Sequence, residues 1–247
     1  MKENTEHIEK SIIEVNNLTK VFDGNKIAVN SISFTVKKNS VFGLLGPNGS
    51  GKTTTLRMLT TILHPTSGEI KIGALAQGDA KQKIRNEIGY VPQQNALYSS
   101  LTLWENVELF FAAYTYDGDR KARIEQVLKR VDLLGEKDTL AGNLSGGMAK
   151  RLSVACAIAH KPKIIFCDEV TMGLDPNSRY AIWDLIRELK KTSTVVLTTH
   201  YMDEAQKLCD ELIILREGAI IATGSPNSIL KQFKATNLDE VFEEISR

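Results

Sequence analysis

The sequence is poor in cysteine, has almost no net charge and contains no internal repeat, and each absence narrows what the protein can be. Cys156, Cys167 and Cys209 form no C-x-x-C pair and lie in apolar periodic segments, so we interpret them as core residues in a reducing cytoplasm. The 31 basic residues nearly balance the 30 acidic ones. No strong field therefore favours nucleic acid or an anionic membrane as the main partner.

The chain also lacks a long apolar segment. No apolar run reaches ~18 residues and residues 1–6 have no signal-peptide core, so we expect any membrane role to come through a partner. With 42% hydrophobic and 25% charged residues, the composition is that of a globular protein. We predict one domain over residues 1–247, with a loose polar tail at about 1–10.

What the sequence does have is a glycine-rich stretch at residues 46–54, GPNGSGKTT, with the pattern G-x-x-x-x-G-K-[ST]. It follows an apolar run that predicts a buried strand and precedes a helical pattern over residues 52–63. Backbone N–H groups of such a loop, together with the N-terminus of the helix, bind polyphosphate. We expect Lys52 to reach the β and γ phosphates and the Thr53 hydroxyl to ligate Mg²⁺.

Strand and helix patterns alternate along the chain. Residues 12–15 and 26–36 alternate as antiparallel strands, and strands at 164–167 and 194–199 flank a helix at 177–189. This order predicts an α/β fold with a parallel sheet and an N-terminal antiparallel β subdomain. We place a helical subdomain at about residues 95–160 and two C-terminal helices at about 224–247.

The helical insert carries its own start signals. Thr102 and Glu105 form a capping box, residues 120–133 are amphipathic, and Ser145 is the expected N-cap of a further helix. Core packing is favoured over surface contact for the aromatic residues of the insert, which are Trp104, Phe110, Phe111, Tyr114 and Tyr116.

Polar residues follow three predicted strands. The buried strand at 164–167 ends in Asp168 and Glu169, and Asp168 is expected to hold Mg²⁺ directly or through water. Residues 84–91 lead into Gln93, and the strand at 194–199 runs into His200. Gln93 or His200 taken alone would be interpreted as structural.

Taken together, the motifs resemble the nucleotide-binding subunit of an ATP-binding cassette (ABC) transporter, over about residues 12–235. The resemblance rests on a stacking aromatic (Phe22), the phosphate loop, a loop glutamine (Gln93), a signature at 144–148, an acidic motif at 164–169, a dimer-contact loop at 173–175 and a switch histidine (His200). It implies a P-loop NTPase core, a helical insert carrying the signature, ATP and Mg²⁺ as ligands, and ATP hydrolysis. The residues then expected to bind ATP are Phe22, Gly46, Pro47, Asn48, Gly49, Ser50, Gly51, Lys52, Thr53, Thr54, Ser145, Gly146 and Gly147.

The resemblance also implies catalytic roles and partners. Glu169 would be the general base, His200 would bond the γ-phosphate, and Gln93 would contact Mg²⁺ or the attacking water, with Thr53 and Asp168 as the other metal ligands. Ser145 and the following amides form a second anion site that one chain cannot easily bring to its own phosphate loop. A head-to-tail pair is implied, as a homodimer or a heterodimer, joined to a membrane permease at the cytoplasmic face.

Three residues depart from the family pattern. Met148 stands where glutamine is usual, which is similar to exporters of drugs, polysaccharides and lantibiotics, whereas Val170 and Cys167 replace a usual proline and leucine. The last two are expected to alter the stiffness of the loop that carries Glu169.

Two other classes of protein fit the sequence less well. A cassette protein acting on DNA or ribosomes usually has paired cassettes or a long insert. A GTP switch or small kinase would need an acidic residue that Asn25-Lys26 lacks.

Overall fold

The structure is a computed structural model that describes residues 11–76 and 80–246. Its strands are β1 (Ser11–Phe22), β2 (Lys26–Lys37), β3 (Val41–Leu45), β4 (Ser67–Ile72), β5 (Leu75–Ala76), β6 (Ile88–Val91), β7 (Ile164–Asp168), β8 (Thr194–Thr199), β9 (Glu211–Arg216) and β10 (Ala219–Gly224). Its helices are α1 (Lys52–Leu59), α2 (Lys81–Glu87), α3 (Leu103–Ala112), α4 (Arg120–Arg130), α5 (Gly146–Ile158), α6 (Pro176–Lys190), α7 (Met202–Leu208), α8 (Pro226–Phe233) and α9 (Leu238–Ser246). The predicted loose tail at residues 1–10 lies outside the described residues.

Two sheets organise the chain. The first is antiparallel and has the order β2-β1-β4-β5. The second has the order β10-β9-β3-β8-β7-β6, in which the strands from β9 to β6 are parallel and β10 is antiparallel to β9. Parallel neighbours need a crossover connection, and α6 supplies it between β7 and β8. The predicted α/β fold with an N-terminal antiparallel sheet is confirmed.

The central strands of the second sheet are buried on both faces. Phe42 and Leu44 of β3 pack into a core with β1, β2, β4 and α1, whereas Val41 and Leu45 pack into the core formed with α3 to α6. This double burial explains why β3, β7 and β8 are continuous apolar runs in the sequence. Since β3, β6, β7 and β8 run in one direction, the segments that follow them leave from the same edge of the sheet.

Two helices of the insert, α3 and α5, begin at the predicted N-caps. The Thr102 hydroxyl accepts a hydrogen bond from the Glu105 backbone N–H, and the Glu105 carboxylate accepts one from the Thr102 N–H at 2.8 Å. The Ser145 hydroxyl accepts from the Met148 N–H at the start of α5. Both predictions are confirmed. Within the described ranges 11–76 and 80–246, every helix is too short or too polar to cross a bilayer.

The structure differs from the sequence predictions mainly at the bounds of elements. Helix α1 ends at Leu59 rather than at residue 63, because Thr61 has a left-handed backbone with φ of 63°. Helix α4 ends at Arg130 rather than at residue 133, and residues 84–91 are divided between the end of α2 and β6. Helix α7 was not predicted, because it has only seven residues and no side-chain N-cap.

The aromatic residues of the insert pack mainly in the core, as predicted. Phe111 is buried, and three half-buried rings pack against the same core, namely Trp104, Phe110 and Tyr116.

Candidate nucleotide site

A glycine-rich loop joins β3 to α1 and forms one side of an open cleft. Gly49 and Gly51 have φ of 82° and 104°, where a residue with a Cβ is strained. A Cβ on Gly51 would also lie 2.5 Å from the carbonyl oxygen of Ala28 on β2. The loop can therefore turn tightly beneath β2 and start α1 at Lys52 only with glycine at these points.

The cleft holds about 530 Å³ and reaches from this loop to the β1–β2 hairpin. It is lined by Phe22, Lys26, Ile27, Ala28, Asn48, Gly49, Gly51, Lys52, Thr53, Thr54, Gln93 and Glu169. Three of these residues, Lys26, Ile27 and Ala28, are not among the predicted site residues, although Phe22 pairs with Lys26 across the hairpin. The missing signal was the hairpin register, which sets these residues beside the half-exposed Phe22 ring.

Lys52 is held at the back of the cleft by backbone oxygens. Its ammonium group donates to the carbonyl oxygens of Gly46 and Pro47 at 2.8 and 3.1 Å and lies 3.7 Å from the Glu169 carboxylate. Burial lowers the pKa of Lys52, whereas Glu169 and Asp168 oppose that shift. The contacts to carbonyls and carboxylate keep a positive charge in place where a phosphate group would need it.

A second cluster of oxygen atoms surrounds Asp168 at the end of β7. The Asp168 carboxylate accepts from the hydroxyls of Thr53 at 3.3 Å, Thr198 at 2.7 Å and Tyr90 at 3.3 Å. Burial raises the pKa of Tyr90 to about 12, and the negative charge of Asp168 adds to this shift, so the phenol stays a donor at neutral pH. Thr198 and Tyr90 are not among the predicted site residues. They reach Asp168 because Thr198 is its register partner on β8 and because β6, which carries Tyr90, pairs with β7.

The oxygen ligands offered by Thr53 and Asp168 fit a magnesium ion. Mg²⁺ prefers one or two carboxylates with hydroxyl, water and phosphate oxygens, and Thr53 and Asp168 present a hydroxyl and a carboxylate side by side. No group of three or more His, Cys, Asp or Glu suited to a metal occurs in the part of the chain that the structure describes. The remaining ligands would have to come from phosphate and water, as in nucleotide sites.

Glu169 brings the predicted catalytic residues together. Its carboxylate accepts a hydrogen bond from the Gln93 side-chain amide at 3.2 Å and lies 3.5 Å from His200 Nδ1. Glu169 has an unusual φ of 45°, and its N–H donates to the Thr198 hydroxyl at 3.0 Å. A strained conformation that the neighbouring strand stabilises is typical of functional residues. In this arrangement the Glu169 carboxylate lies between the side chains of Lys52, Gln93 and His200.

The signature residues lie away from this cleft. Ser145 and Gly146 are exposed at the start of α5, and no signature residue belongs to the lining of the cleft. Gly147 is buried, and a Cβ placed on it would lie 2.3 Å from Ser178 Oγ and 2.8 Å from Ser178 Cβ on α6. The structure therefore separates the predicted binding residues into two groups. Gly147 is fixed by packing within the chain, whereas a Cβ on Gly146 would meet only Leu174, at 4.0 Å.

Residues 29–172 match the protein family described as ABC transporter. The chain belongs to the ABC transporter family. It is 39% identical over 238 residues to the Nod factor export ATP-binding protein I of Rhizobium sp. (strain N33), a match that covers 95% of this chain and 78% of the relative. It is 38% identical over 220 residues to a linearmycin resistance ATP-binding protein of Bacillus subtilis (strain 168), covering 88% of this chain and 70% of the relative.

A similar solved structure contains the products of ATP hydrolysis. A dimeric ATP-binding cassette in a post-hydrolysis state, bound to ADP and Pi, aligns with a TM-score of 0.78 and 30% identity over 86% of this chain and 98% of that one. The present chain is therefore an ATP-binding subunit and an ATPase. Its similarity to export ATP-binding proteins confirms the exporter branch expected from the sequence.

The three departures from the family pattern are accommodated in the structure. Met148 is half-buried and packs against the helical core, whereas Cys167 on β7 and Val170 just after it are buried. Burial raises the pKa of the Cys167 thiol to about 12, so it stays protonated and serves as a small core residue. None of the three replaces a residue that the sequence analysis expects to act in hydrolysis.

The contact between Gly147 and Ser178 predicts unequal effects of alanine at the two signature glycines. We expect Gly147→Ala to lower the free energy of unfolding by roughly 1 to 3 kcal/mol, because the new methyl group overlaps the Ser178 side chain. Gly146→Ala is the matched control, since the atom nearest its added Cβ lies 4.0 Å away. Urea denaturation measures both variants. Equal stabilities, or no recovery in a Gly147→Ala, Ser178→Gly double variant, would contradict the packing argument.

Proposed function

We propose that this ATPase is the motor subunit of an exporter, that it works as a head-to-tail pair, and that it drives a separate membrane permease from the cytoplasmic face of the cell membrane. The observation that carries the proposal is the division of the site. Lys52, Asp168, Glu169 and Gln93 form one half, and the exposed start of α5 lies outside it. The N-terminus of a helix attracts anions, so a second chain could complete the site with its own Ser145.

Each half then has a defined task toward ATP. Lys52 exchanges its contact with Glu169 for the β and γ phosphates, and Phe22 offers its exposed ring to the adenine. Gln93 and His200, which both approach Glu169 Oε2, orient this carboxylate toward the attacking water and the γ-phosphate. The Ser145 hydroxyl and the amides that follow it bind the γ-phosphate of the ATP held by the partner chain.

Thr53 and Asp168 would hold Mg²⁺ beside the phosphates. The ion would neutralise phosphate charge, which is its usual contribution to phosphoryl transfer. Thr198 and Tyr90 donate to Asp168 and hold its carboxylate in place, so they act as supporting groups for the metal ligand.

An apolar groove beside Gln93 is the proposed contact for the permease. It holds about 310 Å³ between β6, α3 and α5, with Leu97 and Phe110 in its lining. Tyr98, next to Leu97, is 55% exposed, and its backbone is fixed by the buried Asn106 side chain at 2.9 and 3.0 Å. A groove of this volume accepts a few apolar side chains, which suits one face of a short helix of a partner protein.

The first test concerns the base. We expect Glu169→Gln to lower ATP turnover by roughly 10²- to 10⁴-fold, because it removes the general base. ATP affinity should be kept or increased, since the carboxylate that competes for Lys52 is also gone. Steady-state turnover and equilibrium ATP binding are measured side by side. Glu188→Gln, the same change at an exposed surface ion pair, is the control. Near-normal turnover of Glu169→Gln would remove Glu169 from the proposed mechanism.

The second test concerns the pair. A Lys52→Ala chain mixed with a Ser145→Arg chain places both lesions in one site of the heterodimer and leaves the other intact. Mixing should therefore restore activity in at most roughly a quarter of the normal sites under random pairing. Lys52→Ala mixed with Glu169→Gln is the matched control, because both sites of that heterodimer are damaged. If heterodimers form and the first mixture recovers no more than the second, each chain completes its own site or needs a different partner.

The third test concerns the permease groove. We expect Tyr98→Asp to reduce the share of the chain that sediments with membranes of the native cell, because a charge at the groove opposes docking of an apolar helix. ATP binding by the purified chain should be unaffected. Ile62→Asp, at a residue that is 57% exposed away from the groove, is the control. Equal membrane association of both variants would place the contact elsewhere on the protein.

A further inference from the structure

Glu204 on α7 is a buried carboxylate that the proposed chemistry does not use. Its side chain is only 2% exposed and does not line the nucleotide cleft. Burial raises the pKa of Glu204, and hydrogen bonds from Thr199, Thr171 and Trp183 oppose that shift. Buried carboxylates are costly unless they are hydrogen-bonded, so its three partners indicate a specific arrangement.

The three partners come from three different segments. The Thr171 hydroxyl, in the loop after β7, and the Trp183 indole N–H, on α6, each donate to Glu204 Oε1 at 2.8 Å. Thr199, at the end of β8, is the third partner, and its side chain also opposes the raised pKa of this carboxylate. A carboxylate accepts several hydrogen bonds at once, so one side chain of α7 can link these segments.

Two of these segments carry the catalytic residues. Thr171 lies two residues after Glu169, and Thr199 directly precedes His200. The Thr199 hydroxyl also accepts the backbone N–H of Tyr201 at 3.0 Å, so it closes the turn that contains His200. Glu204 lies on the helix that directly follows His200, and the Ala205 N–H donates to the Tyr201 carbonyl oxygen at 3.2 Å. The bond from Thr171 to Glu204 therefore joins the loop after Glu169 to the turn around His200.

Helix α6 supports the same turn from outside. The Arg179 guanidinium lies 4.4 Å from the centre of the Tyr201 ring and 3.6 Å from the Asp203 carboxylate. The Tyr201 and His200 rings are 4.2 Å apart. Since α6 also holds Trp183 against Glu204, the segments around the carboxylate form one packed unit.

We propose that Glu204 is a positioning residue that holds His200 at a fixed place relative to Glu169, so that the two loops keep their catalytic geometry as one unit. The inference rests on the proposed roles of Glu169 and His200 in hydrolysis. If the Glu204 carboxylate only stabilised the fold, its loss would lower thermal stability without a specific effect on kcat through His200. The experiment distinguishes these two cases.

The test compares two replacements at Glu204. Glu204→Leu fills the same space without acceptors, and we expect kcat to fall on the order of 10- to 100-fold with an unchanged KM for ATP, because misplaced catalytic groups slow the chemistry. Glu204→Gln should keep kcat close to that of the parent, since its amide oxygen can accept from Thr171 and Trp183 and its N–H can donate to Thr199. Leu208→Ala, a buried change on the same helix, is the control that lowers thermal stability but not kcat.

A double-mutant cycle with His200→Ala decides the inference. If Glu204 acts through His200, then Glu204→Leu combined with His200→Ala lowers kcat no further than His200→Ala alone. Multiplying losses, or a Glu204→Leu variant with the kcat of Leu208→Ala, would overturn the proposal. If Glu204→Leu does not fold, the same cycle with Thr171→Val is judged by the same criterion. Normal turnover in both Glu169→Gln and His200→Ala would instead refute the catalytic roles on which the inference rests.

Discussion

A buried lysine and two buried carboxylates meet at one edge of the parallel sheet, and much of the structure serves to keep them there. Lys52, Asp168 and Glu169 are each less than a tenth exposed. Buried charges are stable only when opposite charges or hydrogen bonds surround them. The phosphate-loop carbonyls, the hydroxyls of Thr198 and Tyr90, and the Gln93 amide meet this need. Under the proposed function, ATP binding would exchange part of this internal pairing for phosphate oxygens.

The packing of α5 against α6 explains why the site is divided. Gly147 packs directly on Ser178 at the start of α6, so the position of the signature helix is tied to the loop that joins Glu169 to α6. A helix held in this way can meet a phosphate loop only by assembly with another chain, under the proposed pairing. The exposed Gly146 and Ser145 are then the surface left for the partner's nucleotide.

Helix α7 extends this logic behind the catalytic edge. Its buried Glu204 accepts hydrogen bonds from α6 and from the loop after β7. Such a helix is hard to recognise in a sequence, because seven residues give only two turns of apolar spacing and no side chain caps its start. The carboxylate that links it to its neighbours is the basis of its proposed role beside His200.

The sequence by itself determined the parts of this protein whose signal is local. The phosphate loop, the caps at Thr102 and Ser145, and the doubly buried strands follow from spacing and residue type over a few positions. Only the tertiary structure placed Tyr90 and Thr198 on Asp168, because strand register decides which hydroxyl faces which carboxylate. It also placed Thr171 on Glu204. Contacts of this kind join residues from distant strands and helices, and no short stretch of sequence contains both partners.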